Sequence, residues 1–200
     1  MLLEQLKKYD ILLASGSPRR KELLSEMGFT FRVQTKEVEE NFPSHLSPSE
    51  AALFLSLLKS KAFSSNDLHE NTLLITADTL VCIDNQILGK PQNEVDAFSI
   101  LKSLSGRQHE VITGVCLRNR ERYHRFSVTT HVHFSNLTDD EIRYYILHYK
   151  PFDKAGAYGI QEWIGHIAIE KIEGSYFNVM GLPTHRLYQE LGNFIWELER

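Results

Sequence analysis

The stretch Ile11-Leu12-Leu13-Ala14-Ser15-Gly16-Ser17-Pro18-Arg19-Arg20 sets the reading of this 200-residue chain. Its first four residues form a continuous apolar run, the pattern of a strand buried on both faces of a sheet. Ser15-Gly16-Ser17-Pro18 ends that run. Ser17 is suited to cap a helix and Pro18 to occupy its first position. Leu23, Leu24 and Met27 give the helix an apolar stripe, and Gly28 closes it. A buried strand followed at once by a capped helix is a building unit of α/β folds. The same junction presents unpaired N–H groups, which attract anions. Arg19 and Arg20 oppose the helix dipole there, at about 0.3–1 kcal/mol each if exposed. They fit an anion site as well as they fit an ordinary solvated arginine pair.

Reading outward, Phe29 to Gln34 has the pattern of a second strand. Ser47-Pro48-Ser49-Glu50 combines an N-cap, a proline and a capping box, predicting a helix to about Phe63 with Ala51, Leu55, Leu58 and Ala62 on its apolar side. Thr72 to Ile83 is a strand run that Ala77-Asp78-Thr79 is expected to interrupt. Asn93 caps a further helix, which Gly106 ends. Val111 to Leu117, a turn at Asn119-Arg120, and Tyr123 to Phe134 predict a hairpin. In its second arm Phe126, Val128, Val132 and Phe134 alternate with Arg125, Ser127, Thr129 and His131. Thr138-Asp139-Asp140-Glu141 is another capping box, opening a helix that stops before Pro151. A glycine-containing loop, short strands near Ile167 to Ile172 and a last helix from Thr184 follow. The pattern is α/β with a mixed sheet, parallel-type early and antiparallel later. No repeat or flexible linker divides residues 1–200, which read as one domain.

Composition limits what such a fold does. Hydrophobic residues at 42% and charged residues at 24% exclude disordered and collagen-like classes. Lys plus Arg number 22 against 26 for Asp plus Glu, a net charge of −4. A general nucleic-acid binder usually carries a basic surplus, so a polyanion bound here must meet a few focused cations. The longest apolar stretch, Ala51 to Leu58, is far short of the ~20 residues of a membrane span. Acidic and basic residues within MLLEQLKKYD, and the lack of a small-residue cleavage site, argue against a secretory signal. Cys82 and Cys116 are far apart among apolar neighbours and read as reduced core thiols of a cytosolic protein.

Four places are able to carry chemistry. One is the Ser-Gly-Ser-Pro-Arg-Arg junction. A second is Asp78, whose carboxylate within an apolar run needs water, a cation, a metal or backbone N–H groups around it. Gly89-Lys90-Pro91 sets a lysine in a tight turn but lacks the flanking residues of a phosphate loop. Asp153-Lys154-Ala155-Gly156-Ala157-Tyr158-Gly159-Ile160-Gln161 permits close backbone approach to a ligand, or makes a plain turn. Lys61 by itself reads as a solvated helix lysine. His131 and His133 have no third metal ligand in view.

Taken in order, Leu13-Ala14-Ser15-Gly16-Ser17-Pro18-Arg19-Arg20-x-Glu22-Leu23-Leu24, Ser60-Lys61-Ala62, Ala77-Asp78-Thr79, Gly89-Lys90-Pro91, Leu104-Ser105-Gly106, the Asp153–Gln161 motif, Ile172-Glu173-Gly174-Ser175-Tyr176 and Val179-Met180-Gly181-Leu182-Pro183 resemble the Maf family of nucleoside triphosphate pyrophosphatases. The resemblance implies an elongated α/β fold, with a mixed twisted sheet flanked by helices and two lobes around a deep substrate cleft. It implies hydrolysis of a nucleoside triphosphate to the monophosphate and pyrophosphate with a divalent cation, Mg²⁺ or Mn²⁺. Asp78 is then the proton acceptor. Arg19, Thr79 and Gln161 set base specificity and match the branch that acts on dTTP and UTP. Ser15, Ser17, Arg20, Lys61 and Lys90 fall to the phosphates, and Asp78 with Glu40 to the metal. Water activated by Asp78 is expected to attack the α-phosphorus, with pyrophosphate leaving. The resemblance also suggests clearance of modified pyrimidine nucleotides and a link to septum formation. The alternatives are 7-methyl-GTP as substrate, or a non-catalytic nucleotide-binding division regulator. The substrate is the expected partner, with neither nucleic acid nor membrane; a homodimer stays open.

Overall fold

The apolar run that opens the reading is a strand in the computed structural model, which describes all 200 residues. In chain order the elements are α1 (Leu2–Leu6), β1 (Asp10–Leu13), α2 (Pro18–Glu26), β2 (Arg32–Val33), α3 (Pro48–Lys61), β3 (Thr72–Ile83), β4 (Gln86–Leu88), α4 (Glu94–Leu104), β5 (Gln108–Arg118), β6 (Tyr123–Phe134), α5 (Asp139–Tyr149), α6 (Trp163–Ala168), β7 (Ile169–Glu173), α7 (Tyr176–Met180) and α8 (Thr184–Leu198). Leu12 and Leu13 of β1 are fully buried, as expected of a strand covered on both faces. β1 pairs in parallel with β2 on one side and β3 on the other. The seven-stranded sheet runs β2-β1-β3-β5-β6-β7, with β4 folded back antiparallel on β3. The fold is therefore mixed α/β, parallel in its early strands and antiparallel later.

Local signals place most helices. Ser17 accepts the Arg20 amide at the start of α2. Reciprocal capping boxes form at Ser47/Glu50 and Thr138/Glu141, each able to contribute on the order of 1 kcal/mol. Contacts divide the chain into two units. The first comprises Met1–Asp78, Thr113–Val128 and Gly181–Arg200; the second comprises Thr79–Ile112 and Thr129–Met180. Leu12, Ala14, Phe63, Leu68 and Leu74 make one core cluster within the first unit. Val81, Leu101, Val132, Phe134, Tyr145 and Ile164 belong to a larger cluster within the second.

Several expectations need correction. β3 runs unbroken through Ala77-Asp78-Thr79, because the Asp78 carboxylate finds a cation and its backbone has no need to leave the ladder. β2 is only two residues long and lies at the edge of the sheet, with β1 its one neighbour. Asp84 and Asn85 both adopt the left-handed region, φ 50° and 62°, and so form a two-residue turn into β4, which the reading lacked. The structure adds the short helices α1, α6 and α7; Ile167 and Ala168 belong to α6, so the strand expected near Ile167 begins at Ile169. The buried side of α3 is rotated from the predicted one. Ala51, Ala52, Leu55, Ser56 and Ser60 are buried, while Leu58 and Ala62 are only partly so.

That rotation has a polar cause. The Thr76 hydroxyl donates to the Ser56 carbonyl at 2.7 Å. Buried Arg118 donates from Nη1 to the carbonyls of Ser60 and Phe63, at 2.7 and 2.6 Å, where the negative end of the helix dipole lies. These contacts require the α3 backbone to approach the sheet closely, and small serines allow it where leucine does not. Gly114 of β5 completes the approach, since a β-carbon there would collide with the Ala52 carbonyl.

Candidate functional site

Within the first unit, Thr76 and Asp78 share a face of β3 because side chains alternate along a strand. Thr76 meets Ser56 of α3, and one turn further along α3 the Lys59 ammonium meets the Asp78 carboxylate. Asp78 is 6% exposed, a burial that an unpaired carboxylate would resist strongly. The same Lys59 Nζ lies 2.9 Å from Glu40 Oε1. One ammonium therefore joins a buried carboxylate from the sheet to an exposed one from the irregular segment before α3.

The junction between β1 and α2 supplies the second half of this cluster. Arg20 Nε donates to the Gly181 carbonyl at 2.8 Å, and Arg20 Nη1 to Ser15 Oγ at 3.3 Å. Ser15 Oγ also accepts the Ser17 amide at 3.2 Å. These bonds hold the guanidinium within the junction, with no need for it to extend into water. Burial pushes Arg20 below its ordinary pKa, and neighbouring Arg19 pushes the same way. Asp78 and Glu40 pull it back up. Ser15, Ser17, Arg19, Arg20, Glu40 and Asp78 are thus neighbours in one cluster. Lys61 is not among them. It is exposed, about 200° around the α3 axis from Lys59, and it is Lys59 that reaches Asp78 and Glu40. Of the adjacent acids, Glu40 faces the lysine, whereas Glu39 accepts from Asn41 at 2.6 Å.

The second unit holds the other candidates. Thr79 follows Asp78 in β3 and is partly buried; Lys90 is exposed in the turn before α4. Gln161 lies in the segment ahead of α6, and its Oε1 is buried with no hydrogen-bond partner. That segment is tied down on several sides. Tyr145 of α5 accepts the Gly159 amide at 3.0 Å through its hydroxyl oxygen and donates the hydroxyl proton to Glu162. Lys154 Nζ lies 2.8 Å from Asp153 and 3.1 Å from Glu162 Oε1. Tyr158 and His109 pair at 2.8 Å. Burial raises the hydroxyl pKa of both Tyr145 and Tyr158 and holds the His109 imidazole down to about 3, so all three are neutral hydrogen-bonding groups near pH 7. Gly156 is left-handed at φ 69°, and a β-carbon there would come within 2.9 Å of Val81.

No three His, Cys, Asp or Glu side chains gather into a self-sufficient metal site. Asp78 and Glu40 nevertheless already converge on one positive charge. Those two carboxylates would be the protein ligands for a hard divalent cation, which takes oxygen donors. Reading the residues missed Lys59, Tyr145 and Glu162. A signal for Lys59 existed, since it follows Leu55 by four and Ser56 by three on one side of α3. Tyr145 and Glu162 carry no such signal, because their pairing joins distant segments.

Comparison with known proteins places these features in context. A family model described as Maf-like protein matches residues 10–194. A dTTP/UTP pyrophosphatase of Phocaeicola vulgatus is 53% identical over 191 residues, covering 95% of this chain and 98% of the relative. One from Porphyromonas gingivalis is 50% identical over 195 residues, with 96% and 98% covered. One from Flavobacterium johnsoniae is 49% identical, with 98% and 100% covered.

Proposed function

The chain belongs to the Maf family, and from that membership we propose that it hydrolyses dTTP and UTP to the monophosphate and pyrophosphate. The relatives named for this activity align with nearly the whole chain. The observation that carries the reading is the Lys59 ammonium set between Asp78 and Glu40, in a cluster that also holds Arg20.

A triphosphate brings several negative charges, and the bond to be broken gathers more on the leaving pyrophosphate. Lys59 and Arg20 offer cationic donors for those oxygens, backed by Ser15, Ser17 and the first-turn amides of α2. Arg20 is held in place before substrate arrives, so little reorganisation is needed. A water oxygen bonds to the α-phosphorus, the bond from that phosphorus to the bridging oxygen breaks, and Asp78 accepts the water proton. A divalent cation held by Asp78 and Glu40 supplies charge neutralisation on the phosphates when bound.

Base choice belongs to Arg19, Thr79 and Gln161. The buried, unpartnered Gln161 Oε1 is an acceptor in want of a donor. Thymine and uracil offer N3–H, whereas cytosine carries a lone pair at N3. Lys90 is assigned to phosphate on the family resemblance. The two free, buried cysteines suit a cytoplasmic setting.

Pyrophosphate release across dTTP, UTP, CTP, their 5-methyl analogues and 7-methyl-GTP, with Mg²⁺ or Mn²⁺, tests this function. Pyrophosphate from dTTP, UTP and 5-methyl-UTP above CTP, 5-methyl-CTP and 7-methyl-GTP is expected. Orthophosphate without pyrophosphate, or a preference for 7-methyl-GTP, overturns it. Asp78→Asn lowers turnover by about 10²–10⁴-fold, the usual contribution of a general base; parental turnover in that variant removes Asp78 from the chemistry.

A further inference from the structure

We propose that Tyr145 is a positioning residue for base selection, acting on Gln161 through the segment Gly159–Glu162. This rests on the reading of Gln161 given above. Tyr145 is wholly buried on α5, so its ring cannot turn freely and its hydroxyl is a fixed point. That one hydroxyl takes the Gly159 N–H at one end of a four-residue segment and gives its proton to Glu162 at the other. Gln161 lies between the two ties. Glu162 is held a second time, by Lys154 at 3.1 Å. Gly165 extends the restraint, since a β-carbon there would overlap the Ile160 carbonyl.

A glutamine amide presents an oxygen on one side and an NH₂ on the other, and a half-turn exchanges them. With the oxygen inward it accepts from N3–H of uracil or thymine; with the nitrogen inward it donates to N3 of cytosine. An unrestrained glutamine accommodates either base. Discrimination therefore requires that the backbone carrying Gln161 be fixed, and the Tyr145 hydroxyl is the group that closes the segment.

The experiment measures kcat and KM for UTP and CTP with Tyr145→Phe, which keeps the buried ring and removes only the hydroxyl. The ratio of kcat/KM for the two substrates cancels the folded fraction, so loss of stability alone cannot move it. In Tyr145→Phe the UTP/CTP ratio falls about tenfold, the order carried by one misplaced hydrogen bond. KM for UTP rises while kcat stays within about threefold, because the groups assigned to the chemistry are untouched. Glu162→Ala, which removes the far tie, lowers the ratio similarly. Glu162→Gln, which keeps an acceptor for the hydroxyl, restores most of it. An unchanged ratio in folded Tyr145→Phe overturns the proposal; if that variant does not fold, an unchanged ratio in Glu162→Ala does so. A parent enzyme that fails to release pyrophosphate from UTP, or does not prefer UTP to CTP, instead overturns the function on which the proposal rests.

Discussion

Lys59 and Asp78 form an ion pair withdrawn from solvent, with side-chain exposures of 17% and 9%. Such a pair stabilises only if both charges stay matched. Removing one leaves the other buried and unpaired, at roughly 3–5 kcal/mol.

Lys59→Met removes the ammonium while keeping the aliphatic stem. Pyrophosphate release from UTP is expected to fall by about 10²–10³-fold, as for loss of one charge-stabilising donor. Lys61→Met changes turnover less than about threefold, because that side chain points to solvent. The reverse ranking in a pyrophosphate assay returns the phosphate role to Lys61.

Arg20→Lys keeps the charge but not the fork. A single ammonium cannot reproduce the Nε bond to Gly181 and the Nη1 bond to Ser15 together with a phosphate contact. KM for UTP is expected to rise about tenfold or more. Steady-state kinetics showing parental KM remove Arg20 from substrate binding.

His109 sets an acid limit on stability. Its folded value is about 3, against about 6.5 for an unperturbed histidine. Between these values the unfolded chain binds a proton that the folded chain refuses, so stability falls as pH drops below about 6.5. Going from pH 6.5 to 4.5 removes roughly 2–3 kcal/mol by this route, about 5–10 °C in Tm. His109→Phe, compared with the parent in melts at both pH values, loses that part of the slope. An equal slope in the two proteins shows that other groups govern acid sensitivity.

Gly165→Ala forces a β-carbon onto the Ile160 carbonyl. Neither backbone yields easily, so a loss of about 1–3 kcal/mol or more is expected, read as a lower melting temperature. Gly192→Ala on α8 serves as the control, because nothing lies near the added methyl group and alanine favours a helix. Comparable losses at both positions rule out the contact as the cause.

Much of the helical framework is legible from neighbours in sequence. Ser17-Pro18, Ser47 with Glu50, and Thr138 with Glu141 act within a single turn, so local chemistry alone marks where α2, α3 and α5 begin. The long arm Tyr123–Phe134 likewise follows from its own alternation. The motif around Arg19 and Arg20 and that around Asp78 mark the charged cluster of the first unit for the same reason: each is a short local pattern.

What the folded chain alone decided is which side chains meet. Whether Lys59 or Lys61 faces Asp78 depends on the rotation of α3, and Thr76, Arg118 and Gly114 fix that rotation from three separate segments. Tyr145 and Glu162 meet across an intervening loop, with no periodicity to announce the pair. Capping energies arise between residues three apart and are written into the sequence; charge pairing and backbone approach arise between residues that only packing brings together.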